Sequence, residues 1–105
     1  MRRYEWDPKK AAVNYQRHGI TFGEATEVFD DPNAELEQDP YPVEERLRIY
    51  GWTQRFPKEL IVVFCDRSIE DSEEIYRILH ARRITEKEKK NLERLRLRKS
   101  SRVYR

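Results

Sequence analysis

Leu60-Ile61-Val62-Val63-Phe64-Cys65 is an unbroken apolar run between a turn, Gln54 to Glu59, and a polar acidic loop, Asp66 to Glu73. Its shortness and its β-branched residues mark a central strand buried on both faces rather than a piece of helix. Strand signals continue outward from it. Before it, Glu45 to Thr53 alternates Leu47 and Ile49 with Arg46, Arg48, Tyr50 and Trp52. After it, Glu74 to about Arg82 reads as the last strand. A weaker strand covers Ala34 to Gln38, set apart by the loop Asp39-Pro40-Tyr41-Pro42.

Helices flank this block. Tyr4-Glu5-Trp6 is a short first strand, and Asp7-Pro8 then starts a helix as N-cap and first helical residue. It runs to about His18, with Gly19 as its left-handed stop. Ala11, Ala12 and Tyr15 are its expected core face. Thr21-Phe22-Gly23-Glu24 is a capping box for a second helix, whose apolar stripe is Phe22, Ala25, Val28 and Phe29 and whose stop is Asp30-Asp31-Pro32. A third helix follows Thr85-Glu86-Lys87-Glu88, spans roughly 85–98, and carries only Leu92, Leu95 and Leu97 as apolar positions. The resulting order is β-α-α-β-β-β-β-α. That order predicts an α+β domain: a small antiparallel sheet with helices on one face and the other face open. Residues 1–98 form one domain, and residues 99–105 read as a disordered basic tail.

Composition narrows the function. The chain has 105 residues, enough for one modest core, and 40% of them are charged. No apolar run approaches the roughly 18 residues of a membrane span. The N-terminus has no apolar stretch to make it a signal peptide, so a cytoplasmic protein without a membrane partner is expected. One cysteine, Cys65, excludes an internal disulfide framework. Two distant histidines give no metal-binding spacing, and three scattered glycines give no phosphate-cradling loop, so no metal or cofactor is expected. Charge is polarised. Residues 75–105 hold 12 Lys/Arg against 3 Asp/Glu, whereas the first 74 hold 10 against 17. A positive C-terminal part suits an anionic partner, and equally suits a solvated helix and tail.

The densest cationic run is Arg77-Ile78-Leu79-His80-Ala81-Arg82-Arg83. Such a cluster suits a phosphodiester, whose cleavage requires a base, a proton for the leaving oxygen, and fixed positive charge on the crowded phosphate. Arginine supplies the charge through a planar fork, and histidine can exchange a proton near neutrality. On the open face, Arg48, Tyr50 and Trp52 interleave cations with rings, as a single-stranded RNA platform does. Trp6 is a further stacking candidate, with core packing as its plainer explanation. His18 reads as a residue facing the carbonyls that end its helix. Each arginine could instead be a surface ion pair. In a regular strand, moreover, Arg77 and Arg82 point to opposite faces, and only a strand end or a bulge between them would unite them.

The order of several motifs resembles the BrnT family of bacterial ribonuclease toxins. They are Trp6-Asp7…Lys10…Asn14…Arg17-His18-Gly19-Ile20…Phe22…Ala25…Val28-Phe29-Asp30, then Glu44-Glu45-Arg46, Gly51 and Leu60 to Phe64, then Arg77-Ile78-x-x-Ala81-Arg82…Glu88. The resemblance covers roughly residues 1–92. It implies a RelE-like fold and an endoribonuclease that inhibits translation as the toxin of a type II toxin–antitoxin system. It also implies a BrnA-type antitoxin that neutralises the toxin and itself contacts operator DNA. Arg46, Arg77 and Arg82 match family positions and are expected to hold phosphate. His80 stands where the family more often has serine, so its expected part in catalysis rests on its own chemistry. Tyr50 and Glu45 are weaker candidates for proton transfer or positioning. The competing expectation, from another class, is a non-catalytic RNA-binding or antitoxin-docking module of the same fold.

Overall fold

The structure, a computed structural model, describes residues 2–41 and 43–103, with side chains as far as Arg98. Five strands form one sheet: β1 (Arg2–Glu5), β2 (Glu35–Asp39), β3 (Arg46–Trp52), β4 (Glu59–Asp66) and β5 (Glu74–Arg83), in the order β1-β5-β4-β3-β2. The helices are α1 (Pro8–His18), the short α2 (Phe22–Ala25) tightening into a 3-10 turn over Thr26–Asp30, and α3 (Glu86–Val103). The α+β class and the element order are those read from the sequence. α3 continues as helix into the stretch read as a tail, whose last residues, 104–105, lie outside the described residues.

Two expectations about the sheet need correction. It is mixed rather than antiparallel, because β1 pairs with β5 in the parallel sense while the other pairs are antiparallel. Short connections force consecutive strands to alternate, but β1 reaches its neighbour through tertiary packing, and no local turn fixes its direction. The helices also lie on both faces. α1, α2 and the 3-10 turn cover one face, where Ile20, Phe22, Ala25, Val28, Ile49, Leu60, Val62, Phe64, Ile78 and Ala81 form the main core. α3 crosses the opposite face and seats Leu92, 2% exposed, on Tyr50 and Ile61. Those two residues are an apolar island on a face otherwise rich in charge, and burying Leu92 there is worth about 1.5–3 kcal/mol.

Local signals explain the helix ends. The Asp7 carboxylate accepts from the Lys9 N–H at 2.9 Å, and Gly19 turns the chain at φ +67°. Thr21 Oγ1 accepts from the Glu24 N–H at 3.0 Å. The inward stripe of α1 differs from expectation: Ala12 is exposed and Tyr15 is 56% exposed, while Ala11, Asn14 and His18 turn inward. Asn14 accounts for this rotation. β1 covers the β5 edge only as far as Arg77, so backbone groups beyond it lack a strand neighbour. The buried Asn14 amide replaces that neighbour: its Nδ2 donates to the carbonyls of Ala81 (2.8 Å) and Ile20 (3.0 Å), and its Oδ1 accepts from the Ala81 N–H (3.1 Å).

Candidate active site

The register between β4 and β5 settles the conflict between Arg77 and Arg82. Cys65 lies opposite Arg77, Val63 opposite His80 and Ile61 opposite Arg82, while Phe64 lies opposite Ile78. The partner of β4 therefore skips from Ile78 to His80, leaving Leu79 as the extra residue of a β-bulge. One added residue reverses the alternation, so Arg77, His80 and Arg82 share one face. On β3, Arg48 lies opposite Val63 and Tyr50 opposite Ile61, and Arg46 sits one residue beyond the Leu47–Phe64 pair, on the side of Cys65. All of these residues lie on the face that α3 partly covers.

Three rows run across this face. Arg46, Cys65 and Arg77 form the first, Arg48, Val63 and His80 the second, and Tyr50, Ile61 and Arg82 the third. Strand spacing sets β3 and β5 about 10 Å apart with β4 as a floor between them. α3 closes the third row, whereas Val63, Cys65, Arg46 and Arg77 remain half-buried and reachable. The first two rows thus make a shallow trough with guanidinium groups on both walls.

Most of these cations are already engaged. Arg46 donates to Glu44 at 2.9 Å, and its guanidinium stacks 3.7 Å above the Tyr41 ring. Arg48 bonds Glu37 at 2.6 Å. Arg82 makes a two-pronged pair with Glu88, both contacts at 2.6 Å, and the same carboxylate accepts from the Thr85 N–H at 2.8 Å in a completed capping box. Arg77 has no ion-pair or hydrogen-bond partner among the described residues. A half-buried guanidinium without a carboxylate is the group on this face readiest to take an anion.

Protonation states follow from the packing. Burial, reinforced by the nearby His18, Arg82 and Arg17, lowers the His80 pKa, so the ring is neutral at pH 7 and able to accept a proton. Burial and the bond to Glu37 push Tyr50 up to about 12. Burial by itself would raise the Glu37 carboxyl, yet bonds from Tyr50, Asn91 and Arg48 together with the Arg48 charge hold it low. Burial raises the Cys65 thiol, assisted by Glu44 and opposed by Arg46, Arg67 and Arg77, which leaves it an unreactive floor residue.

Several expected roles change at this point. Tyr50 is fully buried beneath α3, where its hydroxyl donates to Glu37 and accepts from Asn91 at 3.0 Å. It offers no ring to a base; its polar tip is held because a buried hydroxyl needs partners. Trp6 lies on the other side of the sheet, edge-on to Phe22 beside the main core. Trp52 is 46% exposed at the end of β3, its backbone N–H held by Asp31 at 2.8 Å. Glu45 is exposed in the approach to β3, and His18 meets His80 edge-on with ring centres 5.0 Å apart. Glu37, Glu88 and Asn91 went unread as site residues. Glu88 left a trace in its capping box, but the contacts of Glu37 depend on strand register, which local sequence does not carry. Among the described residues, no group of three or more His, Cys, Asp or Glu side chains is placed to hold a metal ion, and no helix is long and apolar enough to cross a membrane.

Comparison with curated proteins returned no match. A protein-family model described as "Ribonuclease toxin, BrnT, of type II toxin-antitoxin system" matches residues 6–88, which include β2 to β5 and the cationic face just described. The chain belongs to the BrnT family of type II toxin–antitoxin ribonuclease toxins.

Proposed function

We propose that this protein is an endoribonuclease that cuts single-stranded RNA without a metal ion. It thereby inhibits translation in the cytoplasm until a BrnA-type antitoxin neutralises it, and operator DNA is reached only through that antitoxin. The observation that carries the reading is the Leu79 bulge, which turns Arg77, His80 and Arg82 to the face that also holds Arg46 and Arg48. In this reading the scissile phosphate lies over Val63 and Cys65. Arg77 grips one of its oxygens and Arg46 approaches from the opposite wall, and both stabilise charge as it builds on phosphorus. Neutral His80 takes the proton of the 2′-hydroxyl as its oxygen attacks. A 2′,3′-cyclic phosphate forms, and the departing 5′-oxygen takes a proton from water on the open side of the trough. Arg48 and Arg82, their charges offset by Glu37 and Glu88, shape the trough. Trp52 stacks on a base further along the strand.

A second reading, a non-catalytic RNA-binding or antitoxin-docking module, draws support from one observation. Arg46, Arg48 and Arg82 already have carboxylate partners. One experiment separates the two. The purified chain is incubated with end-labelled RNA in excess chelator, alone, with Arg77→Ala, and with a co-purified antitoxin. Cleavage that persists in chelator and falls 10²–10³-fold in the variant, roughly the loss of one oxyanion-type donor, supports the nuclease. Binding without cleavage supports the module, and cleavage that requires added magnesium overturns the metal-free reaction.

A further inference from the structure

On the outer side of β5 lies a groove of about 250 Å³ between α1 and β5, lined by Lys9, Lys10, Val13, Asn14, Arg17 and His18 of α1 and by Leu79 and His80 of β5. Its floor is apolar. Val13 is half exposed on α1, and Leu79 is the bulged residue, which the added backbone step leaves beside the helix. Its rim is cationic. Lys9, Lys10 and Arg17 are exposed, and none has a carboxylate partner among the described residues, whereas Arg2, Arg48, Lys58 and Arg82 all do. Three uncompensated cations around a small apolar slot form a site for an anion that carries a flat apolar body. The slot is smaller than the roughly 300–1,000 Å³ of drug-sized pockets, which suits one base rather than a larger ligand.

His80 connects the two sites. It faces the trough opposite Val63 and also meets His18 edge-on inside the groove. A chain whose sugar hydroxyl lies at His80 continues, one nucleotide on, into the slot. We propose that the α1–β5 groove is a second RNA subsite, holding the nucleotide next to the scissile linkage with its base over Val13 and Leu79 and its phosphates on Lys9, Lys10 and Arg17. This rests on the nuclease reading and adds to it the direction in which the RNA strand leaves the trough.

The test compares the wild-type chain with the K9E/K10E/R17E variant, the charge-keeping K9R/K10R/R17K variant, and R55E as a control in the loop before β4. Binding of a ten-nucleotide RNA is followed by fluorescence anisotropy across a salt series, and cleavage is measured on that RNA and on a dinucleoside monophosphate. K9E/K10E/R17E is expected to bind at least tenfold more weakly. Its log–log salt slope should become shallower by roughly two, since each lost phosphate contact on a single strand removes about 0.7. Its cleavage loss should be several-fold greater on the long RNA than on the dinucleoside. The charge-keeping variant and R55E should retain the wild-type slope. An unchanged slope in K9E/K10E/R17E overturns the subsite. So does wild-type RNA binding and cleavage in K9E/K10E/R17E together with lost co-purification of the antitoxin, which would make the groove a protein-docking surface. If wild type cleaves neither substrate, the nuclease reading fails by itself, while the slope still reports whether RNA occupies the groove.

Discussion

Replacing Asn14 by alanine should reveal how much of the active face depends on one buried amide. Three hydrogen bonds disappear, all within 2.8–3.1 Å and all to backbone groups. The Ala81 N–H, in a residue with no exposed surface, is left without an acceptor, which costs about 1–3 kcal/mol. The two carbonyls lose a donor as well, bringing the expected total to about 3 kcal/mol against a typical stability of roughly 5–15 kcal/mol. For a domain of this size that corresponds to a fall in melting temperature of about 12–24 °C. Urea titration should show a lower midpoint at constant slope, and hydrogen exchange should quicken first at Ala81 and Arg82. Asn14→Asp is the sharper variant. It keeps an acceptor for the Ala81 N–H but turns a second acceptor towards two carbonyls, so it should be at least as destabilising as alanine at pH 7. Because protonation restores a donor, its deficit should shrink as the pH is lowered. A loss of unfolding free energy below about 0.5 kcal/mol for alanine, or an aspartate variant as stable as wild type, would refute the pinning role assigned to this side chain.

Three further outcomes follow from the same contacts. With the folded His80 pKa below the ordinary value near 6.5, RNA cleavage should hold steady through neutrality and decline only below that value. Stability should fall over the same window, because the unfolded chain takes up the proton first; an acid limb centred above 6.5, or one that survives His80→Gln, would count against the imidazole. Glu37→Gln should cost about 1–3 kcal/mol at pH 7, since Arg48 and Tyr50 lose their charged acceptor. The lowered Glu37 pKa contributes stability above the ordinary carboxylate range that is lost as pH falls through its folded value, so the variant's acid unfolding curve should be flatter than wild type's. Gly51→Ala should destabilise by about 1–3 kcal/mol in a melting experiment, because its Cβ would stand 2.9 Å from Val28 Cγ1 and 3.0 Å from Asp31 Oδ2.

The parts of this fold that local chemistry controls were readable from the residues. Asp7-Pro8, Thr21 and Thr85 announce helix starts through side-chain oxygens, and Leu60 to Cys65 announces the central strand through unbroken hydrophobicity. Side-chain exposure followed less closely. Val63 and Cys65 are only half-buried, because Leu92 of α3 packs on Tyr50 and Ile61 and not on them. The side on which α3 lands was hidden, since it depends on Leu92 finding Tyr50 and Ile61, more than 30 residues away in the chain. The problem posed by Arg77 and Arg82 is visible in their spacing, but its solution is not, because a bulge is a property of two paired strands and the spacing belongs to one. Asn14 hid for another reason. A polar residue inside an amphipathic helix reads as surface until the strand edge it satisfies is known.

That bulge makes residue count, and not only residue identity, a determinant of activity in β5. Leu79 acts like a half-twist in a ribbon: everything after it comes up on the other side. Relatives aligned through this strand without regard to a one-residue gap would pair residues that look outward with residues that look inward. A lost arginine could then be inferred where the arginine had merely changed its place in the count.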